Sequence, residues 1–151
     1  MRFPLTFTRA VIRLARKNHH NTFFRSTNML LSIEESRLQP DIVLLRFTGR
    51  ITLGREAQQI EWKLADLIRA KASKVIFDLS GVTVMDSTGI GIVVMCSGKL
   101  KEAGGQLRLS GASGFVDKTL RLTGVNNLVP FHTTVDEAAT AFRGDQHAAR
   151  A

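Results

Sequence analysis

The chain has little of several features that mark particular classes of protein. It contains one cysteine among 151 residues, Cys96, so no disulfide can form within the chain, and we expect a reducing compartment, the cytoplasm. No apolar stretch approaches the ~20 residues that a membrane-spanning helix needs. Hydrophobic residues make up 44% of the chain and charged residues 23%, which is typical of globular domains. We therefore expect one soluble domain.

Signatures of catalysis and of cofactor binding are also missing. The sequence contains no Gly-x-x-x-x-Gly-Lys phosphate-binding loop, and Gly89-Ile90-Gly91 lacks the third glycine of a dinucleotide-binding motif. The histidines, of which His132 is the one in the body of the chain, show neither metal-ligand spacing nor a partner nucleophile. We predict that the protein is not an enzyme and uses no metal and no cofactor.

Acidic residues are absent from residues 1–28, although this segment contains six arginine and lysine residues. Subtracting these six charges from the net charge of +8 leaves +2 for the rest of the chain, so we expect no direct binding of nucleic acid by the domain. Met29 stands directly before the first strand-like pattern. Residues 1–28 are interpreted as a disordered basic leader or as an upstream, misassigned start. Contact of this leader with a membrane or a nucleic acid is the less favoured alternative.

From Met29 onward, strand-like and helix-like patterns alternate. Two short β-rich runs predict an opening hairpin, and apolar residues at three- and four-residue spacing predict a first helix. The predicted strands are 30–35, 42–47, 74–79, 106–110 and 128–131, and the predicted helices are 53–72, 86–103, 113–123 and 134–142. This order predicts an α/β fold with a mixed sheet of about five strands and about four helices in a single domain, 29–143, followed by a flexible tail, 144–151.

Local signals fix several helix ends. Asp86 or Ser87 is expected to cap the second helix, and Gly104 supplies the left-handed residue that commonly follows a helix. Thr134 and Glu137 have the spacing of a capping box at the start of the last helix. The apolar strand 74–79 is expected to be central in the sheet because it has no polar face.

Four segments together resemble a known family. Phe77-Asp78-Leu79 and Met85-Asp86-Ser87-Thr88-Gly89-Ile90-Gly91 match its strand end and its helix-opening motif. Lys101-Glu102-Ala103-Gly104-Gly105 and Leu120-Arg121-Leu122-Thr123-Gly124-Val125 match its helix end and a later segment. Residues 29–143 are similar to the STAS domain family, which includes anti-sigma-factor antagonists and the cytoplasmic tails of sulfate transporters. The resemblance implies the fold given above.

The resemblance also implies a regulatory role. An antagonist of this kind binds an anti-sigma factor, often a histidine-kinase-like serine kinase, and thereby frees a sigma factor for transcription. Phosphorylation of a serine breaks the complex, and a serine phosphatase restores it. Carried onto this sequence, the phosphoacceptor is Ser87, and the implied partner-binding residues are Asp86, Thr88, Gly89, Thr52 and Arg55.

Simpler interpretations of these residues remain open. Serine and aspartate at a helix start are ordinary caps, Thr88 fits a local bonding role, and glycines such as Gly89 serve close helix packing. Many phosphorylated antagonists also carry an acid where this chain has Thr52, and Arg55 makes the rim more positive than the pattern expects. The alternative function is an accessory subunit of a phospholipid-transport ABC complex, which binds its ATPase without phosphorylation.

Overall fold

The structure, a computed structural model, describes the backbone of residues 30–150 and the side chains of residues 30–145. The strands are β1 (Ser32–Leu38), β2 (Ile42–Ile51), β3 (Lys74–Met85), β4 (Gln106–Ser110) and β5 (Phe131–His132). The helices are α1 (Arg55–Arg69), α2 (Ser87–Glu102), α3 (Gly114–Leu122) and α4 (Val135–Arg150), with a short 3₁₀ turn at Val125–Asn127. The predicted leader, 1–28, lies outside the described residues.

All five strands form one sheet in the order β1-β2-β3-β4-β5. The β1–β2 pair is antiparallel and the other three pairs are parallel, which confirms the opening hairpin, the mixed sheet and the central place of β3. Each parallel pair is joined through a helix, as a crossover connection requires. The carboxyl ends of β2, β3 and β4 therefore lead into the starts of α1, α2 and α3 at one edge of the sheet.

The two faces of the sheet are covered unequally. One face packs against the buried sides of α1, α2 and α3, where residues such as Ile60, Cys96 and Leu120 join the main hydrophobic cluster. The other face holds a smaller cluster in which Ala138 and Phe142 of α4 cover the sheet. Burial of these apolar surfaces supplies the main driving force of folding. It also fixes the helix starts relative to the strand ends.

The central strand is longer than predicted. β3 continues from Leu79 to Met85, so the connection expected before the second helix is strand instead. β2 is also longer, and the two strands remain paired through two register shifts, between Arg46 and Thr48 and between Gly49 and Arg50. Bulges of this kind interrupt the alternation that a sequence pattern detects. The predicted strand end at Leu79 was therefore wrong.

Other boundaries also differ from prediction. β1 covers Ser32–Leu38 and not residues 30–35. α1 begins at Arg55 and not at Leu53, because Gly54, with a φ of 125°, breaks the helical backbone and leaves Leu53 outside the helix. It ends at Arg69 and not at residue 72. α4 does not end at Phe142 but continues to Arg150, so most of the predicted tail is helical. An ion pair between Asp145 and the buried Arg108 of β4 helps to hold this extension. The last strand is Phe131–His132 and not residues 128–131.

The predicted caps are largely confirmed. Thr134 Oγ1 accepts a hydrogen bond from the Glu137 backbone N–H at 3.1 Å, as in a capping box. Gly104 and Gly124 both have positive φ, at the ends of α2 and α3. Ser113 stands at the start of α3, but its side chain makes no capping hydrogen bond. None of the helices among the described residues is both long enough and apolar enough to pass through a lipid bilayer.

Candidate functional site

Asp86 organises the start of α2. Its Oδ1 atom accepts a hydrogen bond from the backbone N–H of Gly89 at 2.9 Å, so Asp86, and not Ser87, is the residue that caps the helix. Its Oδ2 atom accepts a second hydrogen bond from the backbone N–H of Leu53 at 3.1 Å. The carboxylate thereby satisfies one donor at the helix start and one donor in the turn between β2 and α1.

These hydrogen bonds also determine the charge of Asp86. The bond from Gly89, followed in strength by that from Leu53, stabilises the ionised carboxylate and lowers the pKa of Asp86 below its ordinary value of 3.8. The carboxylate is therefore negative at neutral pH. Since its two oxygens are occupied by backbone donors, Asp86 acts first as a structural bridge between the two segments.

Ser87 is the first residue of α2 and its side chain is exposed. The Ser87 hydroxyl makes no hydrogen bond to the described residues. The helix is capped by Asp86 instead. The next residue, Thr88, is half-buried. Ser87 thus offers an accessible hydroxyl on a rigid helix start, and the fold needs no bond from that hydroxyl.

The two glycines of the motif lie in different surroundings. Gly89 is buried, and a Cβ atom added there would lie 2.4 Å from the carbonyl oxygen of Ile51 and 2.7 Å from Met85 Cγ. Gly91 is exposed, and a Cβ atom there would meet nothing within 4 Å. Gly89 serves the close packing of α2 on the end of β2, so it lies beneath the exposed start of the helix.

The turn between β2 and α1 completes the site. The Asp86 N–H donates to the Ile51 carbonyl at 3.4 Å, which together with the Leu53 bond fastens this turn beside Ser87. Thr52 is half-buried and Arg55 is exposed. The structure therefore brings Thr52 and Arg55 to the same edge as Asp86, Ser87 and Thr88.

Leu53 differs from its prediction. The predicted first helix starts at Leu53, but this residue lies outside α1 and 76% of it is exposed. The signal that identifies it is Gly54, whose position directly before Arg55 breaks the helical period. An exposed leucine fixed by its backbone to the Asp86 carboxylate gives this edge an apolar contact point next to Ser87.

Asp78 of β3 carries a buried carboxylate. Asp78 is 4% exposed and accepts hydrogen bonds from Arg46 Nε at 2.8 Å and from the Ser80 N–H at 3.0 Å. Burial alone would raise the pKa of Asp78, but these hydrogen bonds outweigh it and lower the pKa. Because Arg46 and Asp78 are aligned neighbours on β2 and β3, their pair stabilises the sheet.

No group of three or more potential metal-ligating side chains is found among the described residues. His132, half-buried at the end of β5, lies 3.0 Å through Nε2 from Arg108 Nη1. Burial and the charge of Arg108 lower the pKa of His132. This histidine belongs to the contact of α4 with the sheet.

Comparison with known proteins agrees with this geometry. Residues 35–138 match the STAS domain family. The chain belongs to that family. Its STAS domain is 25% identical over 103 residues to BtrV of Bordetella bronchiseptica, named as a candidate anti-sigma factor antagonist; the match covers 68% of this chain and 89% of BtrV.

Solved structures show the same fold. The unphosphorylated form of the anti-sigma factor antagonist SpoIIAA has a TM-score of 0.60 and 23% identity, covering 75% of this chain and 99% of SpoIIAA. The phosphorylated form of SpoIIAA, a cell fate determinant of Bacillus, has a TM-score of 0.59 and 21% identity, covering 74% and 99%. The STAS fold of this chain is thus shared with a protein solved in both phosphorylation states.

Proposed function

We propose that this protein is an anti-sigma factor antagonist whose binding to an anti-sigma factor is controlled by phosphorylation of Ser87. The observation that carries the proposal is the exposure of Ser87 on a helix start that Asp86 already caps. The names of its STAS relatives supply the class of partner. By releasing a sigma factor from its inhibitor, the protein regulates transcription in the cytoplasm and catalyses no reaction itself.

The docking surface consists of Thr52, Leu53, Arg55, Asp86, Ser87 and Thr88. Leu53 supplies exposed apolar area, and Arg55 supplies an exposed positive charge. The hydrogen bond from Leu53 to Asp86 fixes the two segments of this surface relative to one another. The surface is therefore preformed, and little conformational entropy is lost in ordering it when a partner binds.

Phosphorylation changes this surface without a change of fold. A phosphoryl group adds about −1.5 to −2 charges and three acceptor oxygens at neutral pH. Negative charge in the first turn of a helix is favourable, so α2 tolerates the modification. A partner packed over Ser87 would instead meet added bulk and charge beside the Asp86 carboxylate. The partner is a histidine-kinase-like serine kinase, and a serine phosphatase reverses the modification.

Affinity capture with Ser87 variants tests the proposal. S87A is expected to retain a kinase-like, ATP-binding anti-sigma factor from cell extract, and S87D is expected to recover at least ~10-fold less, a difference of about 1.4 kcal/mol. The matched control is S113D, which places the same charge on an exposed serine at the start of α3. It should behave like wild type.

Two outcomes would contradict the proposal. Equal recovery of the kinase-like protein by S87A and S87D would show that charge at residue 87 does not control binding. Equal recovery of a transporter ATPase by both variants would favour the accessory-subunit alternative. Circular dichroism of S87D should match wild type, which separates a binding effect from a folding defect.

A further inference from the structure

Arg55 places a positive charge on the docking surface that contains Ser87. Arg55 is the first residue of α1 and is exposed. The ion pairs among the described side chains, residues 30–145, do not include Arg55. Its guanidinium is therefore available to an anion that comes within reach.

The backbone connects the segments that carry Ser87 and Arg55. The Leu53 nitrogen lies 3.1 Å from Asp86 Oδ2; Ser87 is the residue after Asp86, and Arg55 is the second residue after Leu53. Two residues of backbone span at most about 7 Å, so the Arg55 backbone nitrogen lies within about 10 Å of the Asp86 carboxylate. The long, flexible side chain of Arg55 can therefore turn toward a phosphoryl group on Ser87 Oγ.

The other charged groups here do not displace this pairing. Asp86 precedes Ser87 in the chain, but its carboxylate oxygens accept from Gly89 and Leu53. Glu56 follows Arg55 in the first turn of α1 and is half-buried. A phosphate pairs with the fork of the guanidinium as a carboxylate does, but it carries about −1.5 to −2 charges and three acceptor oxygens and is therefore the stronger partner for arginine.

We infer that phosphorylated Ser87 pairs with Arg55 within the same molecule. Phosphorylation then has two effects on the docking surface. It adds a negative group at Ser87, and the resulting ion pair makes the Arg55 guanidinium unavailable to a partner. The inference rests on the phosphorylation of Ser87 proposed above. Arg55 is then the residue that binds the phosphoryl group of Ser87.

The test uses full-length protein with phosphoserine installed at residue 87 during translation, so that no kinase is needed. Phosphorus NMR follows the second ionisation of the phosphoserine as pH is raised. A nearby cation favours the dianion, so this ionisation should occur at a pH about 0.3 or more lower in wild type than in R55Q. R55K, which keeps the charge, should restore part of the difference.

R69Q is the matched control. Arg69 lies in the last turn of the same helix, roughly 20 Å away along the axis, which is beyond the Debye length of about 8 Å at physiological salt. The R69Q phosphoserine should titrate like wild type. In about 1 M salt, the difference between wild type and R55Q should shrink.

Identical titration curves for wild type, R55Q and R69Q would overturn the inference. That result would leave the phosphorylation proposal standing, because the capture experiment with S87A and S87D does not depend on Arg55. Conversely, a failure of that capture experiment would not alter the NMR result, because the phosphate is installed independently of any partner or kinase.

Discussion

The Asp86 carboxylate accepts a hydrogen bond from the Leu53 backbone N–H at 3.1 Å, which joins two segments that are 33 residues apart in the sequence. The same carboxylate caps α2 through Gly89. One side chain therefore determines both where the helix begins and where the neighbouring turn lies. The docking surface around Ser87 depends on this double contact.

Replacement of Asp86 by alanine should lower the free energy of unfolding by about 2 kcal/mol, because one helix cap and one tertiary hydrogen bond are lost. Urea denaturation measures the change. D86N, which keeps a side-chain acceptor at the cap position, should lose about half as much. An unchanged midpoint for D86A would contradict the bridging role of Asp86.

The effect of D86A should depend on pH in a defined direction. Since the pKa of Asp86 is below 3.8 in the folded protein, its contribution to stability is complete above that pH and is lost as pH falls through the folded pKa. The difference in stability between wild type and D86A should therefore be constant near neutrality and decrease in acid. A difference that grew in acid would contradict the assignment.

Replacement of Gly89 by alanine should destabilise the protein by about 1–3 kcal/mol, because the new methyl group overlaps the Ile51 carbonyl at 2.4 Å. G91A is the matched control on the same helix. A methyl group there meets open space, and alanine favours helix over glycine by about 1 kcal/mol. Thermal unfolding should move in opposite directions for the two variants, and equal Tm values would show that Gly89 is not closely packed.

Leu53 should contribute to partner binding and not to stability. L53S is expected to leave the Tm nearly unchanged, because 76% of Leu53 is exposed. When L53S is combined with S87A, the double variant should capture several-fold less partner than S87A alone. L122S on α3 removes a leucine of similar exposure, 77%, and should have no effect on capture. Equal capture by the two variants would exclude Leu53 from the docking surface.

The contact between His132 and Arg108 should make stability depend on pH near neutrality. Burial and the neighbouring Arg108 lower the pKa of His132 from 6.5, despite the opposing charges of Glu137 and Asp145. The neutral ring therefore stabilises the fold fully above 6.5, and this contribution is lost as pH falls through the folded pKa.

Thermal unfolding between about pH 7.5 and pH 5 measures this loss, in a range where most carboxylates stay ionised. The Tm of wild type should fall more than that of H132Q. The other histidines are common to both proteins and cancel in the comparison. Parallel curves for the two proteins would contradict the role of His132.

Local chemistry explains which parts of the molecule were predictable. The start of α2, the capping box of α4 and the central position of β3 follow from neighbouring residues, such as Asp86 with Gly89 or Thr134 with Glu137. These elements were predictable without knowledge of the tertiary structure. The choice between Asp86 and Ser87 as the cap was left open by the sequence, and the structure assigns it to Asp86.

Long-range contacts explain the errors. The extension of β3 to Met85 depends on pairing with β2 through two bulges, which no local pattern contains. The extension of α4 beyond Phe142 tolerates Gly144, because Asp145 pairs with Arg108 of β4. Leu53 was misassigned because its apolar character fits a helical period, whereas its position is set by Asp86. The role of Ser87 and its surrounding residues remains a prediction.

The burial of Cys96 in α2 protects its thiol from reagents in the solvent. This thiol is 0% exposed, and burial raises its pKa to about 12, so almost no thiolate is present at neutral pH. An alkylating reagent should reach the sulfur only when α2 separates from the sheet. The labelling rate of a single native atom would therefore report how often the core opens, without any engineered probe.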